Sequence, residues 1–148
     1  MRERDGVVAR RATFEEILQV RWDVLRPGRP IERVRFPEED RPETIQVGAF
    51  VGEQNVGCAT VIPAPWQGEP AWQLRGMGVT AEYQKRGVGQ LILAEVEELV
   101  RGASDVRLIW CNAREEALGF YERQGWAIAS ERFHVEDVGP HFKMTKRL

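Results

Sequence analysis

The chain has 148 residues, a formal net charge of −2 and a composition that is 43% hydrophobic and 30% charged, which suits one folded domain over residues 1–148. That charge balance argues against nucleic acid or an anionic membrane surface as a partner. No apolar run reaches the ~20 residues of a membrane-spanning helix, and residues 1–6 lack the apolar stretch of a signal peptide. The two cysteines, Cys58 and Cys111, each sit in an apolar run, and there are two histidines, His134 and His141. Such sparse thiols and imidazoles suit neither a disulfide framework nor a zinc site, so the expectation is a cytoplasmic protein with no metal.

Residues 7–12 read as a first strand. A helix follows from Thr13, where Thr13 and Glu16 have capping-box spacing. Phe14, Ile17, Leu18, Trp22 and Leu25 form an apolar stripe along it, and Arg26-Pro27-Gly28 ends it. Residues 27–42 carry four prolines and read as a loop with one short helical turn. Residues 44–51 and 56–62 are β-rich and joined by Gly52-Glu-Gln-Asn55, a hairpin signal. After a Pro-rich loop, residues 71–79 form another strand. Gly76 and Gly78 near its end suggest a bulge or a close approach. Residues 87–101 form a helix with Val88, Leu91, Ile92, Val96 and Leu99 on one face. Residues 105–111 are a strand buried on both faces. Asn112 and Glu115 then repeat capping-box spacing before a helix that stops at Gly125. Residues 126–135 and 141–146 close the chain as strands. The order predicts an α+β fold with a mixed sheet and a βαβ crossover.

The segment 77–90 carries the most chemistry. A strand ends at about Val79, and Gln84-Lys85-Arg86-Gly87-Val88-Gly89 leads into a helix. First-turn N–H groups of a helix are unpaired and carry partial positive charge. Gly87 and Gly89 leave them open, and Lys85 and Arg86 add mobile charge, an arrangement that suits a pyrophosphate. On the residues alone, a plain tight turn explains the glycines equally well. Neither a Walker A loop nor a Rossmann fingerprint is present.

The same segment resembles the acyl-CoA signature of the GNAT superfamily of N-acetyltransferases, (Gln/Arg)-x-x-Gly-x-(Gly/Ala), with Gln84, Gly87 and Gly89 at its fixed positions. The run Asn112 to Trp126, with Phe120-Tyr121 before Gly125-Trp126, is similar to the family's second signature, and the element order matches over nearly the whole chain. The resemblance implies a mostly antiparallel sheet of about seven strands flanked by helices and splayed at the acyl-CoA site. It implies acetyl-CoA as acyl donor, held by Met77, Gly78, Val79, Gln84, Lys85, Arg86, Gly87, Val88, Gly89, Gln90, Asn112 and Phe120. It also implies Tyr121 as proton donor to the leaving sulfur and the Val79 N–H as oxyanion donor. Tyr121 also reads as a core aromatic, and Asn112 as a helix cap.

Transfer to an amine requires a neutral nucleophile, and an alkyl ammonium has a pKa near ~10.4, so a base or water relay must take a proton. Family members often carry a glutamate on the strand ending at Val79. Here that strand offers only Gln73 and Arg75, which leaves Glu131, His134, His141 or water. Trp22, Arg26, Arg29, Trp66, Phe133 and His141 are the expected lining of the acceptor site, with Arg75 as an anchor for an acceptor carboxylate. Trp66 also reads as a lid on the core, and the basic run 21–30 reads either as a solvated helix end or as a contact for an anionic group on the acceptor. The expected activity is direct transfer of the acetyl group of acetyl-CoA to an amine of a small-molecule or amino-acid-like acceptor in a ternary complex, without a cysteine intermediate. A non-catalytic acyl-CoA sensor or an interaction domain of the same fold is the alternative. Exposed edge strands near the C-terminus leave room for a homodimer.

Overall fold

The computed structural model describes residues 1–25, 28, 30 and 35–148, with only the backbone at residue 25. In chain order the elements are β1 (Arg2–Arg4), β2 (Val7–Ala12), α1 (Phe14–Leu25), β3 (Ile45–Val51), β4 (Gln54–Pro63), β5 (Trp72–Val79), α2 (Val88–Ala103), β6 (Leu108–Arg114), α3 (Leu118–Arg123), β7 (Ala127–Ile128), β8 (Phe133–Val135) and β9 (Gly139–Arg147). The strands form one sheet ordered β1-β2-β3-β4-β5-β6-β9-β7, with β8 also paired to β9. Among the described residues only β5 and β6 run parallel, joined by the α2 crossover. The result is an α+β fold with a mixed, mostly antiparallel sheet flanked by helices. It has nine strands among the described residues, not about seven. A short β1–β2 hairpin and the division of 126–135 account for the difference.

Thr13 and Glu16 form the expected capping box. The Thr13 N–H donates to Glu16 Oε1 at 2.9 Å and the Glu16 N–H to Thr13 Oγ1 at 3.2 Å. Arg10 donates to the same carboxylate. That bond, aided by the Thr13 N–H, holds the Glu16 carboxyl down at about 2.

α1 turns a different face to the core from the one its apolar pattern suggests. Ile17, Val20 and Arg21 are buried, whereas Trp22 is half-buried. Ile17 and Val20 pack on Cys58 of β4, on one side of the sheet. α2 covers the other side, where its Val88, Leu91, Ile92, Val96 and Val100 join the main core with Val47, Ala59, Val61 and Ile109. Successive β4 residues thus serve opposite layers.

Two boundaries differ from the sequence reading. Asn112 is not a helix cap. β9 pairs with β6 as far as Arg114, opposite His141, and this keeps Asn112 in the strand. Its side chain accepts instead from Lys143 Nζ at 2.9 Å. Residues 126–135 do not form one strand. The Ser130 hydroxyl accepts from the Lys143 N–H at 2.8 Å and so takes a ladder position that the backbone would otherwise fill.

The central irregularity lies in β5. Between the pairs Thr60–Arg75 and Cys58–Gly78, β5 carries one more residue than β4, a bulge that includes Gly76 at φ +57. A Cβ at Gly76 would lie 3.1 Å from the Arg21 guanidinium carbon. On its other side β5 pairs with β6 only from Trp72–Ile109 to Leu74–Cys111. Beyond Leu74 the two strands diverge.

Replacing Thr13 by alanine should lower the unfolding free energy at neutral pH by about 1 kcal/mol, measured by urea titration. Glu16 titrates lower in the folded state than when unfolded, so its contribution is present above its ordinary 4.5 and lost as pH falls toward about 2. Alanine keeps the Thr13 N–H and the Arg10 bond, so the Thr13→Ala gap should persist in acid, whereas Glu16→Gln should be less stable than wild type at neutral pH by a gap that narrows as pH falls.

Candidate active site

Two cavities open where β5 and β6 part. One, of about 140 Å³, includes Met77, Cys111, Ala113, Ala117 and Tyr121 in its lining, on the α2–α3 side. The other, of about 210 Å³, includes Arg21, Phe36, Gln73, Val135 and Val138, on the α1 side. Both share Leu74, Arg75, Gly76, Asn112, Arg114 and His141. The gap therefore runs through the sheet, and a molecule on each side can meet between the strands.

The residues that line only the α2–α3 side are apolar apart from the Tyr121 hydroxyl. Tyr121 is buried and meets Phe120 and Trp126 edge-on, each at 5.3 Å between ring centroids. Its hydroxyl points to Met77 Sδ at 3.8 Å. Burial is the main force raising its pKa above the ordinary value, with Cys111 adding to it, so the group stays a protonated donor. Both cysteine thiols are pushed up to about 12 by burial, which removes the thiolate that covalent catalysis would need.

At the mouth of the gap, α2 begins without a side-chain cap. Lys85 at φ +61 and Gly87 at φ +80 turn the chain into the helix. Val88 is buried, so its contribution to this turn is its main-chain N–H. Gly89 lies against the Phe120 ring, 3.1 Å from where a Cβ would stand. The Gln84 amide donates to Val79 O at 3.0 Å, tying the loop to the end of β5. Arg86 lies over the Tyr83 ring. Arg4 comes from the hairpin that sequence reading missed. Its guanidinium is 3.2 Å from the Cβ position of Gly87 and donates to Gln90 Oε1 at 3.3 Å. Gly87, Val88, Arg86, Tyr83 and Arg4 share a further cavity of about 250 Å³ at this turn.

The α1 side is built on a buried ionic network. Arg21, 1% exposed, donates to Thr60 Oγ1 at 2.7 Å and pairs with Glu39 at 2.8 Å. The Thr60 hydroxyl donates onward to Gln46 Oε1. Arg75 does not stand free to hold a ligand carboxylate, because it pairs with Glu38 at 2.8 Å and Glu39 at 3.3 Å. A hydrogen bond from its own backbone, followed by Arg75, holds the Glu38 carboxyl below its ordinary value. Arg21 was grouped with a basic, solvated helix end. Its place four residues after Ile17, on the buried face, was the available signal.

Of the three side chains considered as bases, only His141 reaches the gap. It is 7% exposed, and its Nδ1 lies 2.9 Å from Gly139 O. That contact assigns the proton to Nδ1 and leaves Nε2 as acceptor. Glu131 and His134 are exposed and line neither cavity. Trp22 also lines neither. Phe133 packs on His141 at 5.8 Å, and Trp66 tilts against Trp110 at 5.5 Å, away from the gap. Arg26 and Arg29 lie outside the described residues.

A profile of the acetyltransferase (GNAT) family matches residues 12–126, and the chain belongs to that family. It is 29% identical over 142 residues to an uncharacterized N-acetyltransferase, YitI of Bacillus subtilis (strain 168), covering 92% of this chain and 93% of that protein. Its fold is similar to that of Escherichia coli ElaA, with a TM-score of 0.80 at 14% identity over 95% of this chain and 99% of that one. It is also similar to an aminoglycoside 6'-N-acetyltransferase complexed with coenzyme A, with a TM-score of 0.74 at 18% identity over 95% and 96%. No helix among the described residues is long and apolar enough to cross a membrane.

If the α2 turn holds a phosphate of coenzyme A, Arg4→Gln should raise the dissociation constant about tenfold, since a hydrogen bond to a charged group contributes about 1.5 kcal/mol. Calorimetry should show the difference shrinking as salt is added. An unchanged constant would remove Arg4 from the site.

Proposed function

We propose that this chain, acting as one domain, is an acetyl-CoA-dependent N-acetyltransferase that moves the acetyl group directly to an amine within a ternary complex. The observation that carries this reading is the gap through the sheet, with a buried hydroxyl on one side and a buried imidazole in its wall. Family membership supports the reaction class, and the coenzyme A complex of a structural neighbour supports the donor. The two free, buried thiols suit a cytoplasmic setting. Sheet edges at β1 and at β7, with Ile128 exposed, are where a second copy would add.

In this reading the diphosphate lies on the first-turn N–H groups of α2, with Lys85, Arg86 and Arg4 around it. The pantetheine arm runs along Met77, Gly78 and Val79 and past Asn112 into the gap. Phe120 walls it, and Gln84 and Gln90 hold the loop and Arg4 in place. The acceptor enters from the α1 side. His141 Nε2 takes one proton from its ammonium group, and the freed nitrogen attacks the thioester carbon. The Val79 N–H donates to the oxyanion that forms. The nitrogen, cationic after the attack, gives its second proton to solvent; the C–S bond then breaks and sulfur keeps the electron pair. A thiol has an ordinary pKa near ~8.5, below that of Tyr121, so Tyr121 stabilises the thiolate by donating a hydrogen bond rather than by surrendering its proton. Solvent finally protonates the thiolate and relieves His141 of its proton.

Tyr121→Phe and His141→Gln should each lower kcat by about a hundredfold in an acetyl-CoA assay with an accepted amine, with coenzyme A affinity little changed. Initial rates varied in both substrates should give intersecting lines. Coenzyme A binding without turnover of any amine would contradict the transferase reading, and a burst of free thiol before the amine is added would contradict direct transfer.

A further inference from the structure

The proton acceptor and the gap leave one strong group unused. Arg114, at the end of β6, is half-buried and lines both cavities. Its side chain makes no hydrogen bond or ion pair with any described residue. Its register partner on β9 is His141, and side chains directly opposite on an antiparallel pair have Cβ atoms about 5 Å apart. The face they share looks toward α1, because the intervening Cys111 and Ala113 belong to the core on the other side.

The surroundings are short of negative charge. Among the described residues the α1-side cavity is lined by Arg21, Arg75 and Arg114 and by no carboxylate. Arg21 and Arg75 are answered by Glu39 and Glu38. Among the described residues, three cations against these two carboxylates leave one positive charge, which resides on Arg114. A second donor is also unanswered: Arg21 Nε is buried without a hydrogen-bond partner, and it lies 3.4 Å from the Cβ position of Gly76 in the cavity wall. Glu136 and the neighbouring Asp137, at the β8–β9 turn, are exposed and outside the lining, and Glu115 is bound to Arg132 at 2.9 Å.

We infer that the acceptor is an amine that also carries a carboxylate, which Arg114 grips while His141 faces the amine. This rests on the transferase reading above. An unpaired guanidinium in a partly dry cavity is poorly solvated and gains most from a charge-assisted, bidentate partner. The same charge repels polycationic acceptors. A volume of about 210 Å³ also lies below the ~300–1,000 Å³ of drug-sized sites, as a compact amino acid requires.

The test compares acids with their own amides: glycine with glycinamide, and β-alanine with β-alaninamide, as kcat/KM per free amine. The acids should be favoured at least about tenfold, the worth of one charge-assisted hydrogen bond. Arg114→Gln should bring the acid-to-amide ratio near one, chiefly through KM, and Arg114→Lys should keep part of it. Equal use of acid and amide, preference for spermidine, or an Arg114→Gln loss that leaves the ratio intact would overturn the inference. A binding arm separates this from failure of the transferase reading. N-acetyl-β-alanine should bind the coenzyme A complex at least about tenfold more tightly than its amide, and Arg114→Gln should abolish the difference. Equal binding would overturn the anchor whether or not any amine is acetylated.

Discussion

Parallel pairing between β5 and β6 ends after Leu74 and Cys111, and the site depends on its ending there. A fully paired sheet would present a closed layer of backbone hydrogen bonds. Once the strands diverge, their N–H and C=O groups are released toward the gap, where an extended ligand can take up pairing that a neighbouring strand would otherwise supply. The bulge at Gly76 works with this divergence. It places one extra residue in β5 relative to β4 and re-aims Met77 toward Tyr121, while Gly76 itself makes room for Arg21.

What stabilises an opened sheet is a second layer of constraints on the α1 side. Arg21 reaches from α1 to Thr60 on β4 and to Glu39 in the preceding loop, and Glu39 in turn binds Arg75 on β5. Helix, loop and two strands are thereby fixed to one another beside the gap. A buried ion network of this kind contributes specificity more securely than net stability, because desolvation offsets much of its Coulomb energy. Its other consequence is electrostatic. It consumes Glu38 and Glu39 and, among the described residues, leaves the wall positive.

The fold was legible where local rules and tertiary demands agree. The capping box at Thr13 and Glu16, the hairpin at Gly52 and the glycine-rich entry to α2 are decided within a few residues. The candidate site was partly proposed from sequence. Tyr121, Val79 and the 84–89 turn enter it through family resemblance to two short signatures. Arg4 reaches the α2 turn, and Glu39 and Arg114 reach the α1 side of the gap, only through long-range pairing that no local pattern announces. Asn112 shows the limit most clearly. Its spacing to Glu115 suits a cap, but pairing with Lys143 on β9 decides its conformation. His141 was one of three candidate bases until register placed it opposite Arg114.

The central claim is that the opened β5–β6 gap and the first turn of α2 together receive coenzyme A. A crystal structure of the chain with coenzyme A tests it directly. The account predicts diphosphate oxygens about 3 Å from the Val88 and Gly89 amides and the pantetheine sulfur between β5 and β6 beside the Tyr121 hydroxyl. A complex with coenzyme A bound elsewhere, or with the gap closed by strand pairing while the ligand saturates the protein, would contradict it.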